Sequence, residues 1–208
     1  QLLPGPGGEV GAALTSDPRV RGVVFTGSTA TAQRIARTMA AHLPPGTPLI
    51  AETGGQNAMI VDSTALPEQA VRDIVASSFR SAGQRCSALR CLYVQEDVAP
   101  HLIGMLKGAM DELRLGDPWE LSTDVGPVID AAARDSIAAY VEAMGNRLLH
   151  RVAAPEGGWF VPPTLLRVSG IEELEREVFG PVLHLATFAA DDLVRQHVTV
   201  DRPARRES

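Results

Sequence analysis

Aromatic side chains make up only 4% of this 208-residue chain, so its core must be built from Ala, Val, Leu and Ile within a hydrophobic fraction of 45%. Cysteine is scarcer still: there are two, Cys86 and Cys91. That excludes a disulfide-stapled scaffold, and no disulfide between the two is expected in a chain without secretory features. No apolar run reaches the roughly 18 residues that a membrane-spanning helix needs. Positive charge is in deficit, with a formal net charge of −6 and a pI of about 5.4. This argues against a nucleic-acid partner. The densest basic patch, Arg202, Arg205 and Arg206, lies at the extreme end. The opening "QLLPGPGGEVG" has neither the charged leader nor the apolar stretch of a signal peptide, and a cytoplasmic location is expected. It also opens without Met in a turn-rich stretch, which points to a start inside a longer architecture.

What is present alternates. The β-branched and aromatic run "VRGVVFTGS" (20–28) predicts a strand that closes on a Gly-Ser turn. The stretch "TATAQRIARTMAAHL" then carries Ala, Ile and Met at helical spacing, with Pro44 and Pro45 as its stop. "TPLIAETGGQNAMIVD" (47–62) predicts two short strands around a Gly-Gly break. A helix is predicted over 66–83, with Pro67 in its first turn and Val71, Ile74, Val75 and Phe79 on its apolar face. A strand over 88–95, an amphipathic helix over 98–113, a loop over 116–130 and a helix over 131–149 follow, the last with Gly145 as a weak point. "GGWFVPPTLLRVSG" (157–170) reads as strand and turn, and 172–188 passes from an acidic helical turn into the strand "VLHLATF". Strands alternating with helices predict an α/β fold with a largely parallel sheet. The final "RQHVTVDRPARRES" shows no period and is expected to be a poorly ordered tail.

Four stretches could carry chemistry. In "FTGST" (25–29), Gly27 at a strand-to-helix junction would let backbone amides approach a phosphate at the helix N-terminus. Ordinary capping accounts equally for Ser28 or Thr29. In "AETGGQN" (51–57), Glu52 stands between an apolar strand and a tight turn, at the end of a strand where ligands bind in parallel sheets. It reads either as a solvated acid or as a general base made less acidic by partial burial. In "SAGQRCSALR" (81–90), Arg85 and an adjoining helix end would favour a thiolate at Cys86. Cys91, in the apolar run "CLYV", reads as a small buried hydrophobe. No histidine lies near Cys86 in the sequence, which leaves Glu52 as its better partner. No His/Cys cluster has metal-ligand spacing. In "EVFGP" (177–181), Glu177 could bind sugar hydroxyls and Phe179 offer an aromatic face; an acidic turn and a core Phe fit as well.

In order and together, "FTGS", "ETGGQN", "GQRCS" and "EVFGP" closely resemble the aldehyde dehydrogenase superfamily, from about residue 3 to about residue 193. The variants "AETGGQNAMIVDS" and "SAGQRCSALR" are most similar to its Δ1-pyrroline-5-carboxylate (L-glutamate γ-semialdehyde) dehydrogenase branch, in particular to the catalytic module of bacterial bifunctional proline-utilization flavoenzymes. The resemblance implies a partial aldehyde dehydrogenase-like fold. Residues 1–51 would be the C-terminal part of a Rossmann-type NAD-binding domain, 52–193 an incomplete catalytic domain and 194–208 a divergent tail. It implies Cys86 as nucleophile, Glu52 as the base that activates water, and Gly27 and Ser28 against the pyrophosphate of NAD. It further implies Glu177 on the nicotinamide ribose with Phe179 beside it, the Cys86 backbone amide as half of an oxyanion hole, and Ser87 on the substrate α-carboxylate. The implied partners are a small aldehyde, the rest of a bifunctional polypeptide and further subunits of an oligomer. The family's upstream half, with the ribose-reading lysine and the asparagine of the oxyanion hole, is absent, as is the downstream glycine-rich loop. A non-catalytic remnant would share the same motifs, whereas a branch acting on apolar aldehydes is disfavoured by "ETGGQN" and "CSALR".

Overall fold

A computed structural model describes residues 1–190. The chain divides into two compact units, Gln1–Gly55 and a second beginning at Gln56. The tail expected to be poorly ordered lies outside the described residues.

The first unit opens with a turn of π-helix over Gly7–Gly11 that runs into α1 (Ala12–Ser16), an element the turn-rich sequence did not announce. Next come β1 (Val23–Gly27), α2 (Thr29–His42) and β2 (Leu49–Thr53). The two strands pair in parallel, Val23 opposite Leu49 through Gly27 opposite Thr53. Ser28 caps α2, its Oγ accepting the amide of Thr31 at 3.2 Å. The helix ends before the two prolines as expected, with Leu43 already extended.

The second unit is built on a five-stranded sheet. Its strands are β3 (Asn57–Val61), β4 (Leu89–Gln95), β5 (Leu148–Arg151), β6 (Thr164–Arg167) and β7 (Val182–Phe188), in the spatial order β3-β4-β7-β6-β5. All neighbours are parallel except β5 on β6. The helices are α3 (Pro67–Phe79), α4 (Ala99–Asp111) and α5 (Ala131–Ala143). Strand β4 is buried along its whole length, which is why it reads as a nearly continuous apolar run. Alternation divides its side chains: Leu92 and Val94 join Ile74, Phe79, Leu102, Leu106 and Met110 of α3 and α4 in the main core. Cys91 and Tyr93 face the other way, with Ala186, Phe188, Val168 and Leu174.

Two helices are shorter than their periodicity implies. The helix expected over 66–83 stops at Phe79, because Ser81, Ala82 and Gly83 all take positive φ (56°, 52° and 67°). The helix expected over 131–149 stops at Ala143. Gly145 at φ 50° breaks it, and Leu148–Arg151 becomes an edge strand instead.

Candidate active site

In the first unit the parallel pairing brings the two expected motifs to one sheet edge. Glu52 lies opposite Thr26 and Thr53 opposite Gly27, so the "FTGS" turn and the acid share the C-terminal ends of β1 and β2. Ser28 accepts from Thr31, leaving the amides of Thr29 and Ala30 at the mouth of a fourteen-residue helix with no intrahelical acceptor. That is a ready anion cradle. Glu52 is exposed, and the partial burial expected of a general base is not supplied within this unit.

In the second unit Cys86 and Ser87 form the two exposed residues of a turn between α3 and β4. Each side of the turn is pinned. Asn57, the last residue of the "ETGGQN" motif, donates its Nδ2 to the carbonyls of Cys86 (2.7 Å) and Ala88 (2.9 Å). Gln84 accepts the amide of Ile129 at 2.8 Å and donates to the carbonyl of Ser81 at 3.2 Å. The left-handed run at 81–83 redirects the chain before the turn, and a side chain at Gly83 would collide with the carbonyl of Gly180. Only glycine permits that approach.

Arg85 does not serve the thiol as expected. Its Nη2 donates to the carbonyls of Ala76 and Ser77, both at 3.0 Å, capping the C-terminal turn of α3. The adjoining helix end is a C-terminus, whose dipole favours cations rather than a thiolate. Cys91 is free and fully buried, as its apolar run implied, and burial pushes its thiol up to about 12. Cys86 is the exposed thiol.

Glu177 and Phe179 are brought to this turn by a residue to which the sequence reading gave no role. Arg90 on β4 is 1% exposed. Its Nη1 donates to the carbonyl of Gly180 (2.9 Å), and its Nη2 to the carbonyl of Arg85 (3.3 Å) and to Oε1 of Glu177 (3.1 Å). The guanidinium carbon lies 5.5 Å from the centroid of the Phe179 ring, which is half-exposed and not a core residue. Burial lowers the Arg90 pKa and Glu177 opposes that shift. The available signal was a charged residue inside the apolar run "ALRCLYVQ": a cation in a central strand requires buried acceptors.

Behind Arg90 the network continues. Nδ1 of His184 lies 2.9 Å from the carbonyl of Arg90, and Nε2 lies 2.8 Å from the Tyr140 hydroxyl. A carbonyl only accepts, so Nδ1 carries the proton and Nε2 accepts from Tyr140. Burial holds the His184 pKa below its ordinary value.

Comparison with known proteins identifies the family. Residues 1–197 match the model of the aldehyde dehydrogenase family. The chain is 54% identical over 206 residues to the bifunctional protein PutA of Klebsiella aerogenes, covering 93% of this chain and 16% of that one. It is 39% identical over 194 residues to a 1-pyrroline-5-carboxylate dehydrogenase of Bacillus cereus, covering 88% of this chain and 37% of that protein. The crystal structure of a mutant of Bradyrhizobium japonicum proline utilization A superposes with a TM-score of 0.90 at 51% identity, over 94% of this chain and 20% of that one. The chain thus spans about a sixth of the length of its curated PutA relative. With the family model covering nearly the whole sequence, the chain belongs to the aldehyde dehydrogenase family.

Proposed function

We propose that this chain carries the catalytic residues for NAD-dependent oxidation of L-glutamate γ-semialdehyde, in equilibrium with Δ1-pyrroline-5-carboxylate, to L-glutamate in proline catabolism. The observation that carries this reading is the exposed Cys86 on a turn pinned by Asn57 and Arg90, with Glu177 held to the same assembly. The relatives named for proline utilization and for 1-pyrroline-5-carboxylate dehydrogenase support the substrate class.

Each unit by itself offers groups of the kind that a nicotinamide dinucleotide takes. The amides at the start of α2, with Gly27 and Ser28, would hold its pyrophosphate. One oxygen of Glu177 is taken by Arg90, which fixes the carboxylate and leaves the other for a ribose hydroxyl, and Phe179 would flank the nicotinamide. When bound, the cofactor supplies the hydride acceptor. Cys86, as thiolate, adds to the aldehyde carbon, and the amide N–H of Cys86 steadies the resulting oxyanion. Oxidation of that thiohemiacetal leaves a thioester on Cys86. Glu52 takes a proton from water, which attacks the thioester and releases the carboxylate and the thiol. Ser87, exposed beside the nucleophile, would meet the substrate α-carboxylate.

We further infer that residues 1–51 close a cofactor domain and that the catalytic domain starts at Glu52, the remainder coming from a longer, oligomeric polypeptide. The test is NADH production with Δ1-pyrroline-5-carboxylate by the longer polypeptide that carries this chain together with that remainder. Turnover that falls about a thousandfold or more in Cys86→Ala is expected. Undiminished turnover in that variant, or none in the parent, would overturn the reading.

A further inference from the structure

Among the described residues Arg90 is the only buried Arg or Lys, and its flanking residues in β4 are the apolar Leu89 and the small, buried Cys91. A cation there is costly unless its donors are met. The acceptors it has found are not scattered. They belong to the nucleophile turn (the carbonyl of Arg85) and to the "EVFGP" segment (Glu177 and the carbonyl of Gly180). Its own backbone carbonyl is fixed from behind by His184, and His184 in turn by Tyr140.

The peptide group that Nη2 contacts joins Arg85 to Cys86: its carbonyl faces the guanidinium, and its N–H is that of the nucleophile. A cation on the carbonyl side of a peptide group polarises it and strengthens the N–H as a donor. The same Nη2 holds Glu177, so one nitrogen joins the nucleophile's amide to the acid.

We propose that Arg90 is a positioning residue that acts through the Arg85–Cys86 peptide and through Glu177, coupling the charge at Glu177 to the reactivity of Cys86. The proposal rests on the roles given above to Cys86 and Glu177. It deepens them by assigning the link between the two to a buried guanidinium fork, a geometry that lysine cannot reproduce.

Alkylation of Cys86 by iodoacetamide, followed by mass spectrometry of the Cys86 peptide, reads this coupling in the full chain with neither cofactor nor substrate present. Buried Cys91 does not compete. Arg90→Met removes the cation and leaves the Glu177 carboxylate unpaired, so the local field turns against a thiolate. Alkylation is expected to slow about fivefold or more. Glu177→Gln leaves the cation unopposed, and alkylation is expected to quicken; the double variant returns toward the parent rate. Arg90→Lys slows it to a lesser degree and carries the test with Glu177→Gln if Arg90→Met does not fold. A purely structural role would loosen the turn alike in all variants. Folded Arg90 and Glu177 variants that move in the same direction, or stay within twofold of the parent, would overturn the proposal. Because no NADH is measured, this outcome is independent of the dehydrogenase assay.

Discussion

His184 shows how a single side chain becomes a pH liability. It is buried and neutral, donating to the Arg90 carbonyl and accepting from Tyr140, and burial keeps its pKa below the ordinary imidazole value of about 6.5. The unfolded chain therefore takes up a proton first as pH falls. Its contribution to stability is complete above 6.5 and is lost below it, until the depressed folded pKa is reached. In His184→Gln, the unfolding free energy measured by denaturant titration should vary less steeply with pH below 6.5, by up to about 1.4 kcal/mol per pH unit. Parent and variant curves running parallel there would contradict this account. At this scale the sequence was legible where chemistry and periodicity agreed: Cys91 in an apolar run is a core residue, and Glu52 ends a strand. Asn57 escaped because its partners are backbone carbonyls far along the chain, which leave no trace in residue type, and Arg90 because it adds to such carbonyls a single carboxylate 87 residues away.

At the scale of elements, the left-handed run at 81–83 does what no helix could. Continuing α3 through the apolar spacing would have carried Cys86 onward along the helix axis. Three residues at positive φ turn it back toward β4. Glycine is needed only at Gly83, where the backbone meets Gly180, so Gly83→Ala should destabilise the second unit by about 2 kcal/mol or more. Ser81 is exposed and pays the left-handed cost without packing in return. Ser81→Gly should stabilise by about 0.5–1 kcal/mol. Thermal unfolding of both variants checks the opposite signs. The break was hidden because Ser81 and Ala82 are not residues that announce positive φ, whereas Gly145, flagged as a weak point, did end its helix.

For the molecule as a whole, strand–helix alternation was enough to give the fold class, since parallel strands buried on both faces are apolar throughout. Strand order was not legible, because it depends on which edges pair and not on the spacing of side chains. The first unit holds a two-stranded parallel sheet on which Val24 and Ile50 sit side by side, 77% and 56% exposed. Exposed apolar pairs of this kind favour association. Val24→Thr with Ile50→Thr should leave stability within about 0.5 kcal/mol of the parent and reduce light scattering at high concentration. A marked loss of stability would show that these side chains are buried in solution.

The strand order of the second unit also has a consequence for synthesis. β7 lies at the middle of the sheet, between β4 and β6, yet it is the last described strand to leave the ribosome. Until then β4 has an open edge, and neither Glu177 nor the Gly180 carbonyl is available to the Arg90 guanidinium. The nascent chain carries its cysteine long before the assembly that would make it a nucleophile exists. The contacts that Arg90 makes with Glu177 and Gly180 are thereby deferred until β7 and the segment before it have been made.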